Sequence, residues 1–310
     1  MLFRRAISPW PLPMIYSMLF VSLLISNIPA APAYAQVIAY LDPALTIREP
    51  AEAPAMSTVI ITAQDLTVAQ QAVQAVGGQV LSKLWLINAI GAQVKHSRLH
   101  QLAQYPGILS VVQDKPIQVA SYIWPTPNKM IWEVLSPVSV EIGATELHGI
   151  TRKTEQNITG DGVTIAMIDT GVAFNPEVVN ALGADVVDQF LGQANFVGDG
   201  KCKTVDADHI QRTGYCWTPQ NNSEDPYGHG THIAGIIWNK FIVSGMEPDL
   251  GVAPDANILS IRVMGNDGSG SYIDVIEGLQ YAVEAKAQFG IRIVNLSITA
   301  PPTPPHLFCS

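Results

Sequence analysis

The sequence predicts an α/β fold, a parallel doubly wound sheet preceded by a small α+β, ferredoxin-like domain. From about residue 141, continuous apolar runs alternate with segments of helical periodicity, the pattern of strands buried on both faces of a parallel sheet. Before them, residues 57–119 have the order strand, helix, strand, strand, helix, strand. A chain of 310 residues is long enough to bury both cores.

Residues 57–119 contain all six elements of the small domain. The β-branched run STVIITA predicts its first strand, and LTVAQQAVQAV has apolar residues at helical spacing before Gly77 and Gly78. QVLSKLWLINAIGAQVK predicts two further strands. HSRLHQLAQ predicts a second helix that ends before Pro106 and Gly107, and ILSVVQDKP predicts the last strand.

The larger domain is predicted to span residues 141–310. Its buried strands are VTIAMI, ANILSIRVM and IRIVNLSI, and its helices are HGTHIAGIIWNKFIV and SYIDVIEGLQYAVEAKAQFG. Residues 120–140 between the domains are predicted to be a linker, because this stretch is rich in proline and aromatic residues and has little periodicity.

Residues 1–35 have the pattern of a signal peptide, and residues 36–56 are predicted to be a spacer. Two arginines precede an apolar core, and the small residues AYA follow at the expected cleavage position. The alternative is a membrane anchor, for which the interrupted apolar run is short. We therefore expect export to the cell envelope or the medium, with no stable membrane association after cleavage.

Charge and cysteine content narrow the possible partners and covalent links. The formal net charge of −9 disfavours nucleic acids and anionic membranes as partners. Of three cysteines, Cys202 and Cys216 lie in a polar, loop-like stretch, and export makes a disulfide between them possible. Such a bond would stabilise the fold by about 3 kcal/mol in the chain-entropy model. Two free thiols are the alternative.

Asp169 and His229 are the candidate chemical groups. Asp169 directly follows a buried strand, so its carboxylate is expected at the carboxyl edge of the sheet, unless it only caps the next turn. His229 lies in DPYGHGTHIAGII at the start of a helix. The helix dipole disfavours an imidazolium there, whereas a nearby carboxylate favours it, and a ring balanced in this way suits a base near neutral pH.

Small residues and a second histidine lie close to His229 in the sequence. Gly228 and Gly230 are predicted to keep access to the ring open, and Ala234 and Gly235 to let the helix pack closely on the sheet. His232 follows at i+3, but HGTH has no acidic residue between its histidines, unlike a zinc-protease helix. A metal site at this helix is therefore disfavoured.

VTIAMIDTGV and DPYGHGTHIAGII resemble the aspartate and histidine motifs of subtilisin-like serine proteases. GVAPDANILSIRVMGNDGSGSYIDVIEGLQYAV and IVNLS are similar to the segments that follow them in that family. The resemblance runs from about Glu141 to Ser297. The small domain resembles the family's propeptide, a folding aid and intramolecular inhibitor, and PGILSVVQD resembles its closing strand.

The resemblance implies a role for each site residue. Asp169 would orient His229 and stabilise its protonated form, and His229 would be the general base toward a serine. A polypeptide substrate would lie as an added strand between two edges of a cleft. The second edge would begin at Ser297, and the first would comprise Gly268, Ser269, Gly270, Ser271 and Tyr272. No cofactor is required for catalysis, and calcium, common in this family, cannot be assigned to residues here.

The chain departs from the family pattern in two ways. Asp169 and His229 are 60 residues apart, which is longer than in compact members of the family. The extra length contains Cys202 and Cys216. It also contains DADH, Asp206 to His209, which is either a solvated loop or a cation site. The family's nucleophilic serine and oxyanion-hole asparagine motifs are missing after Ser297. We therefore expect an N-terminal fragment of a protease precursor, inactive as written and with exposed apolar faces. Removal of the propeptide is expected within residues 117–140.

Two alternatives remain open at the level of sequence. The chain could be a non-catalytic secreted protein whose small domain inhibits or chaperones a related protease. It could also be a catalytically dead relative that only binds peptides.

Overall fold

The computed structural model describes part of the chain. The described residues are 39–46, 54–119, 142–148, 158–174, 186–197, 203–205, 211–213, 216–218, 223–238 and 251–299. All of them lie in the second of two units, Ala39–Ser310, and the first unit is Met1–Ile38. The predicted signal peptide and the linker 120–140 fall outside the described residues. Among the helices that the structure describes, none combines the length and the apolar character of a membrane span.

The small domain is a five-stranded sheet covered by two helices. Its strand order is β1-β5-β2-β4-β3. The strands are β1 (Tyr40–Leu41), β2 (Met56–Ala63), β3 (Gln79–Leu84), β4 (Ala89–Lys95) and β5 (Ile108–Gln113), and the helices are α1 (Leu66–Ala75) and α2 (Leu99–Ala103). Asp65 caps α1, since its Oδ1 accepts the Val68 N–H at 2.9 Å. From Met56 to Gln113, strands and helices follow one another in the predicted order.

Two strands of this part of the chain are absent from the sequence prediction. β1 lies in the predicted spacer and pairs in parallel with β5. Strand β6 (Pro116–Val119) follows β5 directly and joins a different sheet. Strands of two and four residues carry too little periodicity to be recognised, and proline at the start of β6 points away from a strand.

The larger domain has a mostly parallel sheet with helices on both faces. Its strand order is β11-β8-β12-β7-β14. The strands are β7 (Thr164–Asp169), β8 (Phe190–Asn195), β11 (Cys216–Thr218), β12 (Asn257–Arg262) and β14 (Ile291–Leu296), and the longer helices are α5 (His229–Trp238) and α6 (Tyr272–Glu284). Only β11 pairs antiparallel within this sheet. The shorter helices are α3 (Ala144–His148), α4 (Val186–Gln189) and α7 (Lys286–Phe289).

The two faces of β7 explain how α5 and α6 come to lie on opposite sides. Ile165 and Met167 pack in a cluster with Trp238 of α5. Ala166 and Ile168, which alternate with them, pack in a cluster that includes Tyr281 of α6. Every residue of β7 is buried, as predicted for a strand covered on both faces. The strand is therefore covered by a helix on each face, and its last residue, Asp169, is buried.

Strand β14 differs from the prediction that it is buried on both faces. Among the strands that the structure describes, it is the edge strand of the sheet and pairs only with β7. The exposed fractions of Ile293, Val294 and Leu296 are 49%, 40% and 42%. The prediction of a fully buried strand is wrong here. An apolar run indicates that a strand forms, but it does not indicate whether another element covers both faces of that strand.

The long segment between Asp169 and His229 contains a hairpin, β9 (Lys203–Val205) with β10 (Gln211–Thr213). Asp206 to His209 and Cys202 lie outside the described residues, as does the side chain of Cys216. The disulfide between Cys202 and Cys216 therefore stays a prediction.

Candidate active site

The structure brings the carboxylate of Asp169 and the ring of His229 into direct contact. Asp169 ends β7 and His229 begins α5. Oδ1 of Asp169 lies 2.7 Å from Nδ1 of His229, and the two residues are 1% and 4% exposed. The Thr170 N–H donates to the same Oδ1 at 2.7 Å, so this oxygen has a fixed orientation. With Nδ1 bonded to the carboxylate, Nε2 is the ring nitrogen left for proton transfer.

Hydrogen bonds hold the segment after Asp169 against the start of α5. The Gly230 N–H donates to Thr170 Oγ1 at 3.0 Å. The Ala173 N–H donates to Thr231 Oγ1 at 2.9 Å. Because these bonds cross between the two segments on either side of the Asp169–His229 contact, they help to hold the two side chains close together.

Asp225 organises the start of α5, a role that the sequence analysis did not assign. Its Oδ1 accepts the Gly228 N–H at 2.8 Å. Its Oδ2 accepts the Thr231 N–H at 2.8 Å and the Thr231 hydroxyl at 2.7 Å. An aspartate just before an apolar-periodic run is a helix-capping signal, and this signal was available in the sequence.

The glycines beside His229 meet backbone requirements of the fold, and their predicted effect on access to the ring stays a prediction. A Cβ on Gly230 would collide with the carbonyl oxygen of Gly171, so Gly230 allows two backbone segments to touch. Gly228 has φ +94°, a conformation that favours glycine. Apart from the two chain neighbours and the adjoining backbone of α5, no described residue lies within 4 Å of a Cβ built on Gly235, so close packing on the sheet does not explain this glycine. Ala234, in contrast, is fully buried against the sheet, as predicted.

His232 lies one turn further along α5 and is exposed. Neighbouring protein atoms nevertheless shield part of its ring from water, and this desolvation, together with the nearby His229, lowers the pKa of His232. Within the ranges that the structure describes, no group of three or more His, Cys, Asp or Glu side chains could hold a metal ion.

A strand of the chain itself lies between the two predicted edges of the cleft. β6 pairs antiparallel with β13 (Ser269–Ser271) on one side and with β15 (Ile298–Thr299) on the other. The Val119 N–H donates to the Gly268 carbonyl oxygen at 3.3 Å. Gly268, Ser269, Gly270 and Ser271 thus form one edge.

Two predicted cleft residues lie just outside the strands that pair with β6. Tyr272 begins α6, and Ser297 precedes β15. The Ser297 hydroxyl accepts the Asn295 side-chain N–H at 3.0 Å. The second edge is therefore formed by Ile298 and Thr299, the two residues that follow Ser297.

Alternate side chains of β6 are buried in the cleft. Ile117 and Val119 are 3% and 8% exposed, whereas Pro116 and Gln118 face solvent. The two buried side chains belong to the cluster that contains Val263 and Met264 of the larger domain. β6 thus contributes two anchoring side chains, two residues apart, in addition to its backbone hydrogen bonds.

The small domain also contacts the outer face of α6. Ile273 of α6 packs with Ile60, Leu84 and Ala89. The side chain of Gln280 accepts the Leu86 N–H at 3.2 Å and donates to the Lys83 carbonyl oxygen at 3.2 Å. The Trp85 indole N–H donates to Glu284 at 3.1 Å.

Two carboxylates meet at the first turn of α6. Oδ1 of Asp114 accepts the Ile273 N–H at 3.2 Å, and Oδ2 of Asp274 accepts the Ser271 hydroxyl at 3.0 Å. Asp114 also interacts with the Ser271 side chain. A hydroxyl has only one hydrogen, so it cannot serve both carboxylates fully. Burial, reinforced by the charge of Asp114, raises the pKa of Asp274 to about 6, and burial raises the pKa of Asp114.

The attachment of residues 39–119 to α6 is expected to weaken as pH rises from about 4, the ordinary pKa of aspartate, to about 6. The attached state binds the Asp274 proton more tightly than the detached state, so ionisation opposes attachment, by up to about 3 kcal/mol. Lys83 and Glu284 are further charged residues at this contact, through their bonds to Gln280 and to Trp85.

Hydrogen exchange of the β13 amides, corrected for the intrinsic effect of pH on exchange, measures this dependence. Asp274→Asn keeps an acceptor for Ser271 and is expected to flatten the dependence. An equal loss of protection with pH in the wild type and in this variant would contradict the assignment.

Comparison with known proteins identifies the segment that carries this site. A family model described as the subtilase family matches residues 160–306. Over 146 residues the chain is 30% identical to subtilisin Savinase from Lederbergia lenta, covering 47% of this chain and 40% of that protein. It is 30% identical over 153 residues to the major intracellular serine protease of Bacillus subtilis (strain 168), covering 49% of this chain and 39% of that protein.

A solved structure shows the same fold. The chain superposes on fervidolysin from Fervidobacterium pennivorans, a keratinolytic enzyme related to subtilisin, with a TM-score of 0.51 and 18% sequence identity. The superposition covers 85% of this chain and 38% of that one. The chain thus spans well under half the length of these relatives. Residues 160–306, just under half of the chain, are thus similar to the subtilase family.

Proposed function

We propose that residues 141–310 supply the aspartate and histidine of a subtilisin-like serine endopeptidase site. The observation that carries this proposal is the buried 2.7 Å contact between Asp169 and His229. The Nδ1–H donates to the carboxylate, which leaves Nε2 to accept the proton of an attacking serine hydroxyl. Asp169 then stabilises the imidazolium, and the proton passes to the leaving amine.

The nucleophilic serine is the part of this mechanism that the 310-residue sequence does not contain. No serine after His229 lies in the family's nucleophile motif. We therefore propose that the 310-residue chain by itself has no appreciable protease activity. A histidine base without a nucleophile has no covalent route to peptide cleavage.

Polypeptides are the proposed substrates. They would bind as an extended strand between β13 and β15, in the position that β6 occupies. The backbone pairing of β6 with β13 on one side and with β15 on the other supports binding of an extended segment between these edges. Its buried residues Ile117 and Val119 indicate that apolar side chains two positions apart are accommodated. The chain's own residues 39–119, by filling this cleft, would act as an intramolecular inhibitor.

The pattern of residues 1–35 supports a proposal that the protein is exported. The second candidate function is inhibition or chaperoning of a related protease by the small domain. Occupation of the cleft by β6 favours it, since a domain that fills one such cleft has the chemistry to fill another.

The endopeptidase proposal is tested by replacing His229 in the full-length product of the gene and measuring peptide hydrolysis. His229→Ala is expected to lower kcat for peptide hydrolysis by about 10⁴-fold or more. His232→Ala, an exposed histidine on the same helix, is the matched control and should leave hydrolysis nearly unchanged. Retained activity in His229→Ala would refute the assignment of the base. If the full-length product without substitutions hydrolyses no peptide, the inhibitor function is favoured instead.

A further inference from the structure

Gln193 is a buried polar side chain that the proposed mechanism does not use. It lies in the middle of β8 beside Ser260 of β12 and is only 2% exposed. Its Oε1 accepts the Val172 N–H at 2.9 Å and the Ser260 hydroxyl at 2.8 Å. Its Nε2 donates to the Glu224 carbonyl oxygen at 3.1 Å. A buried amide is costly unless it is bonded in this way.

The bonds of Gln193 reach the two segments that carry the candidate catalytic residues. Val172 is three residues after Asp169, and Glu224 is five residues before His229. One side chain on the rigid sheet therefore holds the backbone that follows the carboxylate and the backbone that precedes the imidazole. Both bonds lie outside regular secondary structure, and they add to the backbone bond from the Phe174 N–H to the Ser223 carbonyl oxygen at 3.4 Å, which joins the same two segments.

The packing at this point leaves little room for either segment to shift. Gly171 has φ +117°, and a Cβ there would collide with the Glu224 carbonyl oxygen and lie 3.0 Å from Oε1 of Gln193. The backbone segments thus touch where Gln193 binds them. A displacement of either one would be transmitted to the Asp169–His229 contact, which depends on a hydrogen bond of 2.7 Å.

We propose that Gln193 is a positioning residue that holds Asp169 and His229 at hydrogen-bonding distance. The inference rests on the proposed function, because it assigns Gln193 to the same site. An apolar residue could fill the space of Gln193, but the buried N–H of Val172 would then lose its acceptor. Leaving such a group unpaired costs about 1–3 kcal/mol, enough to displace a loop from its preferred position.

The test follows the hydrogen-bonded Nδ1 proton of His229 in the full chain by NMR, which requires no protease activity. Gln193→Met keeps the size of the side chain and removes all three hydrogen bonds. We expect the low-field Nδ1–H resonance to exchange with water about tenfold faster than in the wild type. Gln193→Glu keeps the acceptor and loses the donor to Glu224, and it should produce a smaller increase.

Ser260→Ala is the matched control. It removes one bond from the same Oε1 atom but touches neither segment, so the Nδ1 proton should exchange at the wild-type rate. An equally slow rate in Gln193→Met would overturn the proposal. So would loss of the folded spectrum in both Gln193 variants, which would assign this residue to the stability of the sheet alone. A wild-type chain without the low-field resonance would instead contradict the Asp169–His229 pairing itself, and with it the proposed function.

Discussion

Gly230→Ala is expected to lower the free energy of unfolding by about 3 kcal/mol or more. The added methyl group would occupy the space of the Gly171 carbonyl oxygen and would lie 3.3 Å from the Asp169 Cβ. Backbone atoms cannot rotate away as a flexible side chain can, so α5 and the segment after Asp169 must separate. That movement also strains the hydrogen bond from the Gly230 N–H to Thr170.

The matched control is Gly235→Ala, the same substitution one and a half turns further along α5. Apart from the two chain neighbours and the adjoining backbone of α5, no described residue lies within 4 Å of the new Cβ. Alanine is the better helix former, so this change should raise stability by about 0.5–1 kcal/mol. Urea unfolding of the full chain measures both effects. Equal stability of the two variants would show that the contact between Gly230 and Gly171 is looser than the structure indicates.

Ile117→Asp is expected to detach β6 from the cleft. Ile117 is 3% exposed among apolar side chains, and a carboxylate there would lose the apolar contact and be buried without a partner. The expected cost is about 3–5 kcal/mol, because an uncompensated buried charge is strongly unfavourable. The amides of β13, which pair with β6, should then exchange at least about 100-fold faster.

Gln118→Asp is the control for this change. Gln118 is the next residue of the same strand, but it faces solvent. It therefore adds the same charge without burying it, and β13 should keep most of its protection from exchange. Equal loss of protection in both variants would mean that charge repulsion, rather than the buried apolar anchor, governs attachment of β6.

Local sequence was sufficient to predict the elements whose periodicity is long and regular. The helices at Leu66–Ala75 and Tyr272–Glu284 and the strand Thr164–Asp169 follow from patterns of neighbouring residues. The sequence also drew attention to Asp169 and His229, because each stands at the end of such an element. It overestimated the burial of β14, since an apolar strand has the same pattern in the centre of a sheet and at its edge.

The sequence by itself therefore determined the order of the elements with long and regular periodicity, the domain that carries the candidate site and the two residues that meet there. Only the tertiary structure decided that Pro116–Val119 occupies the cleft, that Asp114 faces Asp274, and that Gln193 binds the segments beside both site residues. These contacts join positions tens to more than a hundred residues apart. They depend on how the completed sheets face one another, and no local periodicity encodes that arrangement.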